Sequence, residues 1–208
     1  MKIKVLKVAF VISISMLTFF PKHSFSESLT PEATIESFLG AIRDMEFPVK
    51  DAANHSELVK KAGHFVNLGS VGQRAVAAHW DLATKNQQLK FLDLFSKLIE
   101  KTAYPRSHDF LGDLKIVYSA PVADATGTVV KSVVHDPNQG LDTEVIYHLT
   151  QKEGQWIVDD VILDEVSIVE DLKYQFDKLI KDSSFDGLLV KMQERLDQAD
   201  KPTTSAVA

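Results

Sequence analysis

Two pairs of polar residues have the side chains that acid–base chemistry requires. His79 and Asp81 flank Trp80, and an imidazole near a carboxylate could exchange protons with a substrate in a pocket. In a helix, positions two apart point in different directions, so the favoured interpretation of this pair is the polar end of a helix. Asp159 and Asp160 are neighbours in a predicted strand and face opposite sides, which excludes a shared carboxylate dyad. For an inward-facing aspartate, a structural hydrogen bond is the favoured interpretation.

Other common catalytic and metal-binding patterns are missing from the sequence. The chain has no cysteine, which excludes disulfides, thiol catalysis and thiolate metal sites. Its seven histidines are scattered, and the sequence contains no glycine-rich phosphate loop and no nucleophile elbow. We therefore predict no cofactor and no metal centre.

The first 26 residues have the three-part pattern of a secretory signal peptide. Lys2, Lys4 and Lys7 form a positive start, a mostly apolar run spans residues 8–20, and small residues precede a predicted cleavage after Ser26. The apolar run is too short to cross a membrane as a helix. Removing this segment leaves 19 basic against 29 acidic residues, a formal charge of −10. That acidic balance argues against nonspecific nucleic-acid binding, which requires clustered Lys and Arg.

Helical periodicity dominates both ends of the mature chain. Thr30 and Pro31 predict a first helix, and the capping box that begins at Thr84 opens a long helix that we expect Pro105 to stop near Tyr104. Two further helices follow Ile168, with capping residues at 183–186 between them. Residues 27–199 are predicted to form one domain, and residues 200–208 a flexible tail.

Between the helical segments the spacing of the apolar residues changes to every second residue, which is typical of strands. Residues 114–120, 128–135, 141–150 and 156–163 are rich in β-branched and aromatic side chains and are separated by turn residues. The connections are too short for crossover helices. The sequence therefore predicts an α+β fold, a mostly helical layer packed on a small four-stranded antiparallel sheet. Both layers offer many apolar side chains, which is compatible with a filled core or with an apolar ligand pocket.

The C-terminal half resembles the MlaC, or toluene-tolerance, family. The resemblance is most specific at 156–189, where Trp156 is followed by Asp160-Val161 and by Val166-Ser167-Ile168 at a helix start. Upstream, the stretch from Trp80 to Thr84 and the aromatic residues of the long helix are similar to the family layout, so that the likeness extends over about 31–198. Two positions depart from the pattern: residues 105–110 lack a second tyrosine, and Glu165 stands where a glycine is common.

This resemblance implies a function as well as a fold. Members of the family are periplasmic carriers, not enzymes, that hold phospholipid tails between the two layers. They shuttle lipid between an outer-membrane lipoprotein complex and an inner-membrane ABC transporter complex, which maintains outer-membrane lipid asymmetry. We expect this chain to act as a monomer in that way and to enclose its apolar pocket with Trp80, Phe91, Phe95, Val145, Tyr147, Val158, Val166, Ile168 and Phe176.

Two alternatives stay open at this point. The first is an exported enzyme on a helix-plus-sheet scaffold, with His79 or Asp160 as acid or base. The second is a periplasmic adaptor with a solid core.

Overall fold

A computed structural model of the chain describes residues 29–112, 114–136 and 140–201. The predicted signal peptide at 1–26 and residues 202–208 of the predicted tail lie outside the described residues. Within these limits the helices are α1 (Pro31–Arg43), α2 (Ala52–Gly63), α3 (Leu68–Ala75), α4 (Ala77–Trp80), α5 (Lys85–Leu98), a π-helix (Ile99–Ala103), α6 (Tyr104–Leu111) and α7 (Ile168–Ala199). None of these helices is both long enough and apolar enough to span a membrane.

Both predicted helix starts are confirmed by their hydrogen bonds. The Thr30 hydroxyl accepts from the Ala33 N–H at 3.2 Å, and Pro31 occupies the first helical position, where no N–H is needed. At α5 the Thr84 hydroxyl accepts from the Gln87 N–H at 3.3 Å, while the Gln87 side chain accepts from the Thr84 N–H at 2.8 Å. This reciprocal pair satisfies two backbone donors at the helix start.

The predicted stop at Pro105 is wrong. After Leu98 the α5 helix continues into the π-helix and then into α6, where Pro105 is the second residue. A proline in the first turn of a helix removes no hydrogen bond that the helix needs. The π-helix separates α5 from α6, so that Pro105 falls in the first turn of a new helix.

The sheet is antiparallel, as predicted, but the described residues form six strands, so the predicted count of four is wrong. The four predicted strands are β1 (Lys115–Tyr118), β3 (Thr128–Asp136), β4 (Leu141–Lys152) and β5 (Gln155–Leu163). The additional strands, β2 (Val122–Ala123) and β6 (Val166–Ser167), have two residues each, too few to produce a visible period. The strand order is β1-β3-β4-β5-β6, with β2 also paired to β3.

A two-residue hairpin turn joins β5 to β6. Leu163 pairs with Val166, and the residues between them, Asp164 and Glu165, have φ angles of 48° and 66°. Positive φ at both positions defines the turn that fits the twist of paired strands and that favours glycine at the second position. Glu165 thus adopts the conformation for which the family pattern has a glycine.

The α7 helix changes direction at Ser184, whose φ of 71° and ψ of 172° are not helical. The Ser184 hydroxyl accepts from the N–H of Gly187 at 3.4 Å and so begins the second part of the helix. This break confirms the prediction of two C-terminal helices with capping residues between them.

The buried apolar side chains form two clusters. The first, here the sheet cluster, joins the inner face of β3, β4 and β5 to α1, α2 and α6. The second, here the helix cluster, joins α3, α5 and α7. Ile99, at the start of the π-helix, packs against both clusters.

Candidate functional site

An apolar cavity of about 230 Å³ lies between the sheet cluster and the helix cluster. Val134, Val145, Tyr147 and Val158 form its floor on the sheet, because alternate residues of a strand face the same side. The opposite wall includes Val71, Phe95, Val169 and Leu172 of the helix cluster, and a side wall is formed by Phe38, Leu39 and Ile42 of α1. The cavity is therefore the seam between two separately packed sets of side chains.

The π-helix and α6 close another side of the cavity. Ile99, Ala103, Tyr104, Ser107, Phe110 and Leu111 line it from this segment, at spacings of three and four residues. Single π-helical turns within α-helices occur frequently at functional sites. Here the π-helix supplies the part of the wall between the end of α5 and the start of α6.

Three lining side chains reach solvent and define the opening of the cavity. Phe110 is 53% exposed, Ile168 is 41% exposed and Leu163 is 37% exposed. Large apolar side chains in these positions could contact an apolar ligand as it enters.

The structure places five of the nine predicted lining residues on the cavity wall: Phe95, Val145, Tyr147, Val158 and Ile168. It places three of the others, Trp80, Phe91 and Phe176, in an aromatic group within the helix cluster. The Phe91 ring, with no exposed surface, lies 5.9 Å from the Phe95 ring in a stacked arrangement and 5.7 Å from the Phe176 ring in an edge-on arrangement. Helical periodicity indicates that these aromatic residues are buried, but not which of them face the cavity.

Val166, the ninth predicted residue, does not line the cavity. It lies in β6, is 55% exposed and pairs with Leu163, a residue of the opening. The predicted lining set omits the α1 side chains Phe38, Leu39 and Ile42, although their spacing marks an apolar stripe. It also omits Ser107, Phe110 and Leu111, because the long helix was expected to end at Pro105.

Asp160 holds the start of α7 in place. Its carboxylate accepts from the N–H of Val161 at 2.8 Å, from the hydroxyl of Ser167 at 2.5 Å and from the N–H of Val169 at 3.2 Å. Ser167 is itself the N-cap of α7 and accepts from the Glu170 N–H. The spacing between Asp160 and Ser167 in the sequence signature therefore has a structural cause, because the pair joins the last strands to the helix.

Thr126, His148 and Asp159 have the spacing of a nucleophile, a general base and the carboxylate that orients the base. Asp159 Oδ1 lies 2.6 Å from His148 Nδ1, and His148 Nε2 lies 3.0 Å from Thr126 Oγ1. An acyl-transfer site also needs free N–H donors for the developing oxyanion. Here the N–H groups of Thr126 and Gly127 both donate to Asp124 Oδ1, at 2.7 Å and 2.8 Å. This cluster therefore serves to hold the turn between β2 and β3.

His79 does not pair with Asp81. Its Nε2 lies 2.9 Å from Asp177 Oδ1, so that the contact joins α4 to α7 at the surface. Lys181 lies 2.6 Å from the other oxygen of Asp177. The hydrogen bonds from Lys181 and then His79 lower the pKa of Asp177 below its ordinary value of 3.8.

Two tyrosines on the cavity wall stay neutral. Burial raises the pKa of Tyr147 to about 12, although the neighbouring Ser132 hydroxyl acts in the opposite direction. Burial, followed by the nearby charge of Glu100, raises the pKa of Tyr104 to about 12. Within the described part of the chain no group of three or more His, Cys, Asp or Glu side chains could hold a metal ion.

The fold and the cavity define the class: an α+β protein with a cavity that is suited to an apolar ligand, between a helical layer and an antiparallel sheet. The chain belongs to the MlaC family, because the model of the MlaC protein family matches residues 32–194. A comparison with curated proteins finds no match.

Among solved structures, the chain is similar to the phospholipid-binding protein from Ralstonia solanacearum, determined in complex with a phospholipid. The two share 23% sequence identity with a TM-score of 0.66, over 82% of this chain and 96% of that chain. At this level of identity the likeness shows a common fold.

Proposed function

We propose that this protein is a periplasmic carrier that binds the acyl chains of a phospholipid. In this proposal it moves as a monomer between an outer-membrane lipoprotein complex and an inner-membrane ABC transporter complex, and so maintains lipid asymmetry. The observation that carries the proposal is the apolar cavity between the two clusters in a chain of the MlaC family. The Ralstonia solanacearum protein, which has this fold, was determined with a phospholipid bound.

The size and chemistry of the cavity favour an acyl chain as ligand. Each methylene removed from water contributes roughly 0.8 kcal/mol, so a long chain gains much free energy in an apolar site. A dry apolar cavity of about 150 Å³ is enough to bind benzene. The cavity of about 230 Å³ is larger, but it is smaller than the ~300–1,000 Å³ of pockets for drug-sized ligands. A two-chain lipid therefore requires the two clusters to move apart along their seam.

The predicted signal peptide supports a periplasmic location. A carrier in that compartment must cover lipid tails while it diffuses through water.

Organic extraction of the purified mature protein, followed by mass spectrometry, tests whether it holds lipid. We expect intact diacyl phospholipid in near-stoichiometric amount. Protein without lipid that also takes up none from phospholipid vesicles would contradict the proposal, and release of free fatty acid would favour the enzyme alternative.

A pair of valines provides a matched test at the opening. Val166, next to Leu163, and Val190, on α7 outside the cavity lining, are 55% and 54% exposed. We expect Val166→Glu to lower bound lipid because it adds a charge where acyl chains enter. Val190→Glu, with the same chemical change and exposure, should retain lipid. Equal lipid content in the two folded variants would contradict the entry route.

A further inference from the structure

Two consecutive aspartates of β5 attach the sheet to the helices that cover the cavity. Asp160 accepts hydrogen bonds from Ser167 and Val169 at the start of α7. Asp159 is the extra residue of a β-bulge, because its neighbours Val158 and Asp160 pair with adjacent residues of β4. A bulged residue has no partner in the strand ladder, so its backbone groups need partners elsewhere.

Arg74, in the last turn of α3, provides that partner. Its Nη2 donates to the backbone carbonyl of Asp159, and its Nη1 lies 4.0 Å from Oδ2 of the same residue. The carboxylate is fixed from its other side, because Oδ1 lies 2.6 Å from His148 Nδ1. Since α3 contributes to the helix cluster and β5 to the sheet cluster, Arg74 makes a polar contact across the seam.

The other end of α3 is attached to the same strand through the backbone. The N–H of Val158 donates to the carbonyl of Phe65 at 2.8 Å, three residues before α3 begins, and Val66 forms a bridge with Val158. A backbone attachment at the start of the helix and a side-chain attachment at its end allow the end to swing out while the start stays in place. Val71 lies between the two attachments and lines the cavity, so this movement would widen it.

The contact made by Arg74 is suited to repeated opening. Its side chain is 41% exposed, so water can replace the contact when it breaks. Its Nε is buried without a hydrogen-bond partner among the described residues, and opening would let water satisfy this donor. The closed arrangement is therefore favoured only weakly. By contrast, Ser167 and Val169 hold the start of α7 to Asp160 with two hydrogen bonds.

We propose that Arg74 is a positioning residue that holds the seam closed at the end of α3, and that its release widens the cavity for the second acyl chain of a diacyl lipid. This inference rests on the proposed function, because it concerns the size of the same ligand. A diacyl lipid requires more widening than a monoacyl lipid with the same headgroup. A contact that exists only in the closed form therefore disfavours the diacyl lipid relative to the monoacyl lipid.

A competition between one-chain and two-chain lipids tests the assignment. Delipidated mature protein is incubated with vesicles that contain phosphatidylcholine and lysophosphatidylcholine with the same acyl chain, and the ratio of the two bound lipids is measured by mass spectrometry. The headgroups are identical, so their contacts cancel from the ratio. We expect Arg74→Met, which removes the guanidinium, to raise the diacyl-to-monoacyl ratio about fivefold, within the range for a partly exposed charged hydrogen bond. Arg74→Gln should raise it in the same direction.

Arg195→Met is the matched control. Arg195 is an exposed helix arginine whose Nη1 lies 3.4 Å from Gln198 of its own helix, so the change should leave the ratio at the wild-type value. General destabilisation would lower the retention of both lipids and would not favour the larger one. An unchanged or lower ratio in the folded Arg74 variants would overturn the inference, as would an equal rise in Arg195→Met. Failure of both Arg74 variants to fold would also overturn it, since a contact that opens for each diacyl lipid cannot be required for folding.

The total lipid content separates the two proposals. Diacyl lipid bound by every variant in the wild-type ratio would leave the carrier function intact and reject the role of Arg74. Absence of both lipids from every protein, wild type included, would reject the carrier function itself.

Discussion

Filling the cavity from the sheet should weaken lipid binding at least tenfold without unfolding the protein. Val145 lies on β4, is 4% exposed and faces the cavity, while Val130 on β3 is fully buried on the same face and does not line it. Val145→Phe and Val130→Phe therefore add the same four carbons to equivalent strand positions. Only the first has space to receive them.

The expected stabilities differ because of that space. Four additional buried carbons contribute about 3 kcal/mol by the methylene rule, and fitting a ring into a packed core costs about 1–3 kcal/mol. Val145→Phe should consequently leave the free energy of unfolding nearly unchanged or slightly raised. Val130→Phe, which has no cavity to fill, should lose about 1–3 kcal/mol.

The expected effect on binding follows from the same carbons. They displace about four methylenes of an acyl chain, worth about 3 kcal/mol, and every 1.4 kcal/mol corresponds to a tenfold change in affinity. Lipid retention by Val145→Phe should fall between tenfold and about 100-fold. The smaller loss is expected if the side chains opposite Val145 shift to make room for the ring. Urea unfolding of delipidated protein and quantitative lipid extraction measure the two effects. A Val145→Phe variant that is destabilised as strongly as Val130→Phe and still holds its lipid would refute the placement of the cavity.

Three further outcomes follow from the backbone and the charged groups. Glu165→Gly should raise the free energy of unfolding by about 0.5–1 kcal/mol, because it relieves a positive φ in the β5–β6 turn; a loss in urea unfolding would contradict this. Asp160→Ala should cost about 3 kcal/mol, since three donors at the start of α7 lose their acceptor, and hydrogen exchange should increase first in that part of the helix. The pKa of Asp177, measured by NMR, should lie below 3.8. The contribution of this carboxylate to the free energy of unfolding should be complete above pH 3.8 and should be lost as the pH falls through the lowered pKa. An ordinary pKa for Asp177 in the Lys181→Met variant would confirm that the Lys181 hydrogen bond is the main cause of the shift.

Local sequence signals were sufficient for most of the elements. The capping box at Thr84, the proline at 31 and the period-two runs all report interactions between residues close in the chain. The stop at Pro105 failed because a proline forbids only a helix interior, and whether a new helix begins there depends on the π-helix before it. The strands β2 and β6 were not predicted, because two residues are too few to show the alternation of apolar and polar side chains.

The sequence predicted that an apolar cavity could lie between the two layers, but it identified only some of the residues that line it. Burial follows from apolar spacing, yet Phe91 and Phe95 lie on one face of α5 and only Phe95 reaches the cavity. The distinction depends on where the helix cluster ends, which is a property of α3, α5 and α7 together. For Asp160, the sequence indicated a structural hydrogen bond, but the partners Ser167 and Val169 follow from the β5–β6 hairpin.

The seam between the two clusters also links the lifetime of the protein to the binding of a ligand. The apolar space of about 230 Å³ leaves its lining side chains without the packing partners that a filled core would supply, and this lowers the stability of the ligand-free chain. A ligand that binds only the folded chain shifts the folding equilibrium toward it. On the proposed function, the lipid-free form would therefore be more often unfolded and more readily degraded than the lipid-bound form.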